Sequence, residues 1–394
     1  MNDQSDSNSA QSTPQGVVAG SIPLFAGHPS HDLIPIQDFQ RTVESAFSQN
    51  VWRLFDYGDE QGNPDLIQFL VERFNQREHL NITSDNLMIL AGSTGGVTMI
   101  TNLLTQAGDT ILVDSPSYRD ALHIFRDHHI DMRAIPIDEG GVIVAEMVKT
   151  LETLKAENRL PKFYYVVPTF QNPTGITLSQ ARREAIIELS QQYGFVIVED
   201  DVYSEIRFVD EIPPSFFGLA GGKNALRLGT FSKTLSPGLR MGWLLGDTEQ
   251  IQRFVTSGKL RMGGGANPFT AKIVADYCKS GAWDTHIEWL RGQYQTRRDV
   301  ALTALKQHMP DSVTWTYPQG GYFIWVTLPE HIHVADFEKI ANQNDVYFAS
   351  GVGFYVNPDD GKHNLRLSFS FVPHDDMKRG IVVLGQLVKE LSVE

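Results

Sequence analysis

Five short runs of near-continuous apolar residues recur through the middle of the chain: LMILA (87–91), TILVD (110–114), FYYVVP (163–168), FVIVED (195–200) and ALRLGT (225–230). A strand with one face in water alternates apolar and polar residues. A run without alternation is expected to be covered on both faces. Between the runs lie stretches of helical periodicity; LSQARREAIIELSQQYG (178–194) has Ser179 placed as N-cap and Gly194 as C-terminal stop. Alternation of this kind from about 64 to 290 predicts an α/β domain with a largely parallel sheet flanked by helices. The pattern changes after the helix-like WLRGQYQTRRDVALTALKQHM. GGYFIWVTL and NLRLSFSFV are predicted strands with helical pieces around them, which implies a smaller α+β domain. The expected organisation is a disordered polar tail (1–20), an N-terminal arm (21–50), a large domain (51–290) and a small C-terminal domain (291–394).

Composition narrows the function classes. The 394 residues carry 33 Lys+Arg against 47 Asp+Glu, a net charge of −14. No basic cluster can neutralise phosphates in series, so neither a general nucleic-acid binder nor a protein held on an anionic membrane is expected. Cys278 is the one cysteine, which excludes an internal disulfide framework and a thiolate metal cluster and suits a reducing cytoplasm. The first 20 residues lack a basic n-region and an apolar h-region, and no apolar run approaches a membrane span. The His331 and His333 pair has no third ligand nearby in sequence, so no metal is expected.

In an open α/β sheet, ligands bind at the C-terminal ends of the strands. LMILA leads into Gly92-Ser93-Thr94-Gly95-Gly96, whose backbone N–H groups open a helix and suit a phosphate. FYYVVP leads into TFQNPTGIT, with Asn172 in a turn. FVIVED ends in Glu199-Asp200-Asp201, with Tyr203 just beyond. ALRLGT leads into Thr230, Ser232 and Lys233, with Arg240 seven residues on. Singly, each is an ordinary turn, cap or surface charge. Together, four strand ends supply a phosphate nest, an amide, a carboxylate with a phenol, and a lysine with an arginine.

In this order and spacing the chain resembles the fold-type I, pyridoxal-phosphate-dependent aminotransferases of class I/II. Its nearest subgroup is similar to the α-aminoadipate and kynurenine aminotransferase-like enzymes and to the aminotransferase-like half of the MocR regulators. The resemblance runs from GHPSHDLIP (27–35) through NLRLSFSFV (364–372). YGDEQGNPDL (57–66), DSPSY (114–118), QNPTG, VEDDVYSEIRF (198–208), GTFSKTLSPGLRMGW (229–243) and PQGGYFIWV (318–326) carry it.

The resemblance implies a role for each matching residue. Lys233 would hold pyridoxal 5'-phosphate as a Schiff base and then act as general base. Asp200 would pair with the pyridine nitrogen. Asp201 competes for that role, but the family places its phenol three residues after the carboxylate, and Tyr203 satisfies that count only from Asp200. Asn172 and Tyr203 would bond the ring 3-oxygen, Tyr118 would stack on the ring, and Asn172 and Arg366 would meet the substrate, Arg366 through its α-carboxylate. The phosphate would sit on Ser93, Thr94, Gly95, Thr230, Ser232 and Arg240, with Tyr57 reaching it from the partner of a homodimer.

The implied reaction transfers the amine of an L-amino acid to a 2-oxo acid by ping-pong kinetics. Another pyridoxal-phosphate outcome on the same scaffold (oxidation, decarboxylation, elimination or C–C bond formation) is the alternative, and a regulator's sensor domain is a third reading. Three stretches depart from the family pattern: Thr94 stands where the subgroup often has Gln, SGVGFY (350–355) replaces a Pro-Gly loop, and RMGGGANPFT (261–270) is Gly-rich, expected to be a flexible segment near the site. Leu24, Phe25, Leu33 and Ile34 suggest an apolar contribution to the side-chain pocket, hence aromatic or long aliphatic substrates.

Overall fold

The computed structural model describes residues 20–48 and 51–392, so the expected tail lies outside the described residues except for Gly20. Short β1 (Ile22–Pro23) begins the described chain. The main sheet is built from β2 (Leu87–Leu90), β3 (Thr110–Ser115), β4 (Asp131–Asp138), β5 (Gly141–Val142), β6 (Phe163–Val166), β7 (Val196–Asp200), β8 (Ala225–Thr230) and β9 (Gly242–Leu245). Its order is β2-β9-β8-β7-β6-β3-β4-β5. All five apolar runs are strands. The sheet is mixed: β3, β4, β6, β7 and β8 pair in parallel, while β9 is antiparallel to both β2 and β8. Two reversals leave β2 running the same way as β8. The C-terminal ends of β2, β3, β6, β7 and β8 therefore share one edge.

Successive side chains on a strand point to opposite faces, and both faces here are dry. Val113, Tyr165 and Val198 belong to one apolar cluster, and their neighbours Leu112, Tyr164 and Ile197 to another. Helices cover both faces. The helix Gln180–Tyr193 ends on Gly194 in the left-handed conformation (φ 74°), while Ser179 occupies the N-cap position without a side-chain cap bond.

A second sheet contains β10 (Thr314–Trp315), β11 (Phe323–Thr327), β13 (Ala349–Ser350) and β14 (Asn364–Ser368), antiparallel in the order β10-β11-β14-β13, while β12 (Val346–Tyr347) pairs with β1. That pairing ties the N-terminal arm to the C-terminal part of the chain. The helix Ala282–His308 runs through residue 290 and packs along His374–Leu391. Among the described residues no helix is long and apolar enough to cross a membrane.

Candidate active site

Lys233 stands in a turn just after β8. The turn is anchored by Phe231, fully buried between Trp243 (5.1 Å) and Trp283 (4.9 Å), and by Thr234, which accepts a bond from the Trp283 indole (3.0 Å). Anchored from below, the turn presents Ser232 and Lys233 to a cavity of about 130 Å³. Ser93, Thr94, Tyr118, Asn172, Asp200, Tyr203, Thr230 and Arg240 line the same cavity. These residues come from the ends of β2, β3, β6, β7 and β8, the shared edge of the sheet.

The charges in this cavity perturb one another. Burial lowers the Lys233 ammonium to about 8, aided by Arg366 and Arg240 and opposed by Asp200 and Asp120. Its Nζ donates to the Gly27 carbonyl (2.9 Å). Burial raises the Asp200 carboxyl to about 6, with the Tyr165 bond and Lys233 opposing. Asp200 Oδ2 accepts from the Tyr165 hydroxyl (2.6 Å), and its Oδ1 is buried without a hydrogen-bond partner. Asp201 is engaged elsewhere: its Oδ2 accepts from Arg227 (2.6 Å), which also binds Glu78 (2.6 Å), and it does not line the cavity.

At one end of the cavity the helix Gly92–Leu104 points its first turn inward, so the free N–H groups of Ser93, Thr94 and Gly95 make an anion site. Arg240 lies against that turn. Gly92 has φ +78°, and a Cβ there would sit 2.9 Å from Arg240 Nη2. Only glycine combines that backbone with that approach. Opposite, the Thr230 hydroxyl accepts from the Ser232 amide (3.1 Å), setting two hydroxyls side by side.

A second cavity of about 290 Å³ adjoins the first through Tyr118, Asn172 and Lys233 and adds Arg366, Phe25, Phe323 and Phe354. Arg366, on β14, is 7% exposed, so its cation is buried rather than on the strand surface. Burial lowers its guanidinium to about 10. It packs 4.0 Å over the Phe323 ring, and donates to Asn172 Oδ1 (2.8 Å) and the Phe25 carbonyl (2.8 Å). An arginine can only donate, so this contact fixes the Asn172 amide: Oδ1 faces Arg366 and Nδ2 stays available as a donor. The SGVGFY loop contributes Phe354, 5.1 Å from the guanidinium, whose carbonyl accepts from the Ser117 amide (2.8 Å) and so steadies the Tyr118 loop.

Residues 28–384 match the family described as aminotransferase class I and II. The chain belongs to this family. The aromatic-amino-acid aminotransferase 1 of Thermococcus litoralis is 32% identical over 369 residues, covering 94% of this chain and 88% of its own length. A multiple substrate aminotransferase from Thermococcus profundus superposes with a TM-score of 0.91 at 31% identity, over 95% of this chain and 93% of that one. An uncharacterised HTH-type transcriptional regulator of Bacillus subtilis is 30% identical over 94% of this chain and 74% of its own length. The protein is thus a pyridoxal-phosphate-dependent aminotransferase, and its substrates are an amino acid and a 2-oxo acid.

The donor set of this aminotransferase fits that cofactor: an anion nest, a lysine partly neutral near pH 8, and a buried carboxylate oxygen awaiting a donor. Tyr57 stands apart. It is 84% exposed and lines neither cavity. The Gly-rich segment has a packing reason: Gly265 donates its amide to the Asp59 carbonyl (3.0 Å), and a Cβ there would come within 2.4 Å of that oxygen. The segment thus carries the Tyr57 loop by close backbone contact. Of the four apolar arm residues, Leu24 and Leu33 are buried in the core, and only Phe25 reaches the cavities. Motif reading missed the carbonyls of Phe25 and Gly27, which carry no side-chain signature, and it missed Tyr165.

Proposed function

We propose that Lys233 is the covalent attachment point and proton carrier of this transaminase, and that the amino donor has an aromatic or large apolar side chain. One observation carries the reading: Lys233, a half-buried amine, shares a cavity with an unpartnered Asp200 oxygen and adjoins a buried arginine. Bound pyridoxal phosphate supplies an electron sink for the pair left when the substrate Cα loses its proton.

The residues divide the work. The Ser93–Gly95 amides, Thr230, Ser232 and Arg240 hold the phosphate. Asp200 Oδ1 would accept a hydrogen bond from the protonated ring nitrogen and so keep the ring cationic. Asn172 Nδ2 and the Tyr203 hydroxyl would donate to the ring 3-oxygen, and Tyr118 would cover one ring face. Arg366 binds the α-carboxylate, its attachment to Asn172 linking substrate to cofactor. Lys233 Nζ would hold the cofactor and act as the general base that carries the proton lost from the substrate Cα. Phe25, Phe323 and Phe354 wall the cavity beyond Arg366, which supports an apolar side chain, as does the name of the Thermococcus litoralis relative.

The working form is a cytoplasmic homodimer, with Tyr57 completing the phosphate site of the partner. The exposed side chains of Trp52, Phe55, Tyr57 and Met262 support a buried surface there, and the single, buried Cys278 suits a reducing compartment. The deciding experiment is Lys233→Ala with phenylalanine and 2-oxoglutarate. The variant should lose the visible absorption of the lysine-bound cofactor and all turnover. Retained turnover would remove the reading.

A further inference from the structure

Two consecutive tyrosines on β6 face opposite sides of the sheet, and each meets a carboxylate on a neighbouring strand. Tyr164 pairs with Leu112 of β3 and donates to Asp114, two residues further on (2.5 Å). Tyr165 pairs with Val198 of β7 and donates to Asp200, again two residues further on (2.6 Å). The side-chain period of two puts Tyr165, Val198 and Asp200 on the face that turns toward the cavity.

We propose that Tyr165 is a positioning residue that keeps Asp200 a weak base, so that the proton between Asp200 and the cofactor's ring nitrogen stays on the ring. This rests on the cofactor reading above. Tyr165 is fully buried, its ring held edge-on to Phe125 (5.4 Å). Its hydroxyl occupies Oδ2, the one bonded oxygen of Asp200, and leaves Oδ1 for the cofactor.

The groups facing Asp200 define the balance. Tyr165 comes from β6, Tyr118 from beyond β3, Lys233 from beyond β8, and Asp201 and Tyr203 from its own strand end. Burial and Asp201 make Asp200 more basic; Tyr165 and Lys233 make it less so. Once Lys233 is bonded to the cofactor its charge is spread into the ring system, and Tyr165 is left as the fixed donor. Without that donor the shared proton moves from the ring nitrogen toward Oδ1. The ring then carries less positive charge, becomes a poorer electron sink, and makes the nitrogen joining it to Lys233 more basic.

The test is a spectrophotometric pH titration of the cofactor-loaded protein without amino acid, comparing wild type with Tyr165→Phe. The variant keeps the ring contact with Phe125 and loses only the donor. The midpoint of the visible absorption change is expected to move up by about one pH unit, the scale of one hydrogen bond to a charged group. Site-specific 3-fluorotyrosine at 165, a stronger donor, should move it down. A purely structural role would not produce shifts of opposite sign. A Tyr165→Phe midpoint equal to or below wild type overturns the inference, as does an unmoved midpoint in the fluorotyrosine protein. If wild type itself shows no visible band on loading, the cofactor reading fails and takes this one with it.

Discussion

Lys233 is a cation placed where a cation is costly, and the cost is the source of its reactivity. An amine titrating near 8 is about one-tenth neutral at pH 7, half at pH 8 and nine-tenths at pH 9. Covalent capture of added pyridoxal phosphate by the cofactor-free protein should therefore quicken about fivefold from pH 7 to 8 and less than twofold from 8 to 9. Stopped-flow absorbance measures this; a rate still rising tenfold per unit above pH 8 would mean that the amine is not depressed. Arg366 differs in kind, because it holds still what Lys233 acts upon. Arg366→Ala removes a buried cation bonded to Asn172 and Phe25. Its kcat/KM for every amino donor should fall about a hundredfold or more, mostly through KM, with the cofactor retained. Loss of the cofactor in that variant would mean that Arg366 serves the cofactor first.

At the scale of elements, the edge that collects the site was legible because five runs lacked alternation, and lack of alternation means burial on both faces. What hid were strands without that signature. β4 reads DMRAIPID, a polar-apolar mixture with only Ile135 fully buried, and β9 is four residues following directly on the lysine loop. The β1–β12 pairing joins segments more than 300 residues apart and leaves no local trace. The choice of Asp200 over Asp201 rested in the sequence on a count to Tyr203; in the fold it rests on Arg227, which holds Asp201. The helix Gly92–Leu104 offers its own test. Gly92→Ala forces a left-handed alanine and a Cβ against Arg240, so the guanidinium must shift from its place beside the helix's first turn. Affinity for pyridoxal phosphate should drop about tenfold or more, as expected for losing a charge-assisted bond, while the helix content by circular dichroism stays unchanged. Wild-type affinity would show that Arg240 can move without consequence.

The whole molecule leaves Trp52 80% exposed, Tyr57 84% and Met262 91%, and Gly264 and Gly265, just after Met262, pack against the backbone of Gly58 and Asp59 beside Tyr57. Phe55, exposed like them, stacks on Phe269 (5.8 Å), so this part of the surface is supported rather than a loose end. Several large apolar side chains left exposed in this way suit a partner, and two copies of this chain would bury them while carrying each Tyr57 to the other's phosphate. Trp52→Glu should then yield a monomer by sedimentation velocity, with weakened cofactor affinity although every residue lining its own cavity is intact. Tyr57→Phe should stay dimeric and lose affinity about tenfold or more, the scale of one hydrogen bond to an anion. Mixing separates a partner's contribution from a subunit's own. A dimer pairing one Tyr57→Phe subunit with one Lys233→Ala subunit holds a single lysine-bearing site, and the Tyr57 offered to it comes from the Lys233→Ala chain. That one site should bind cofactor with wild-type affinity; binding at the weakened Tyr57→Phe level would place Tyr57 in its own subunit's site and break the link between assembly and catalysis.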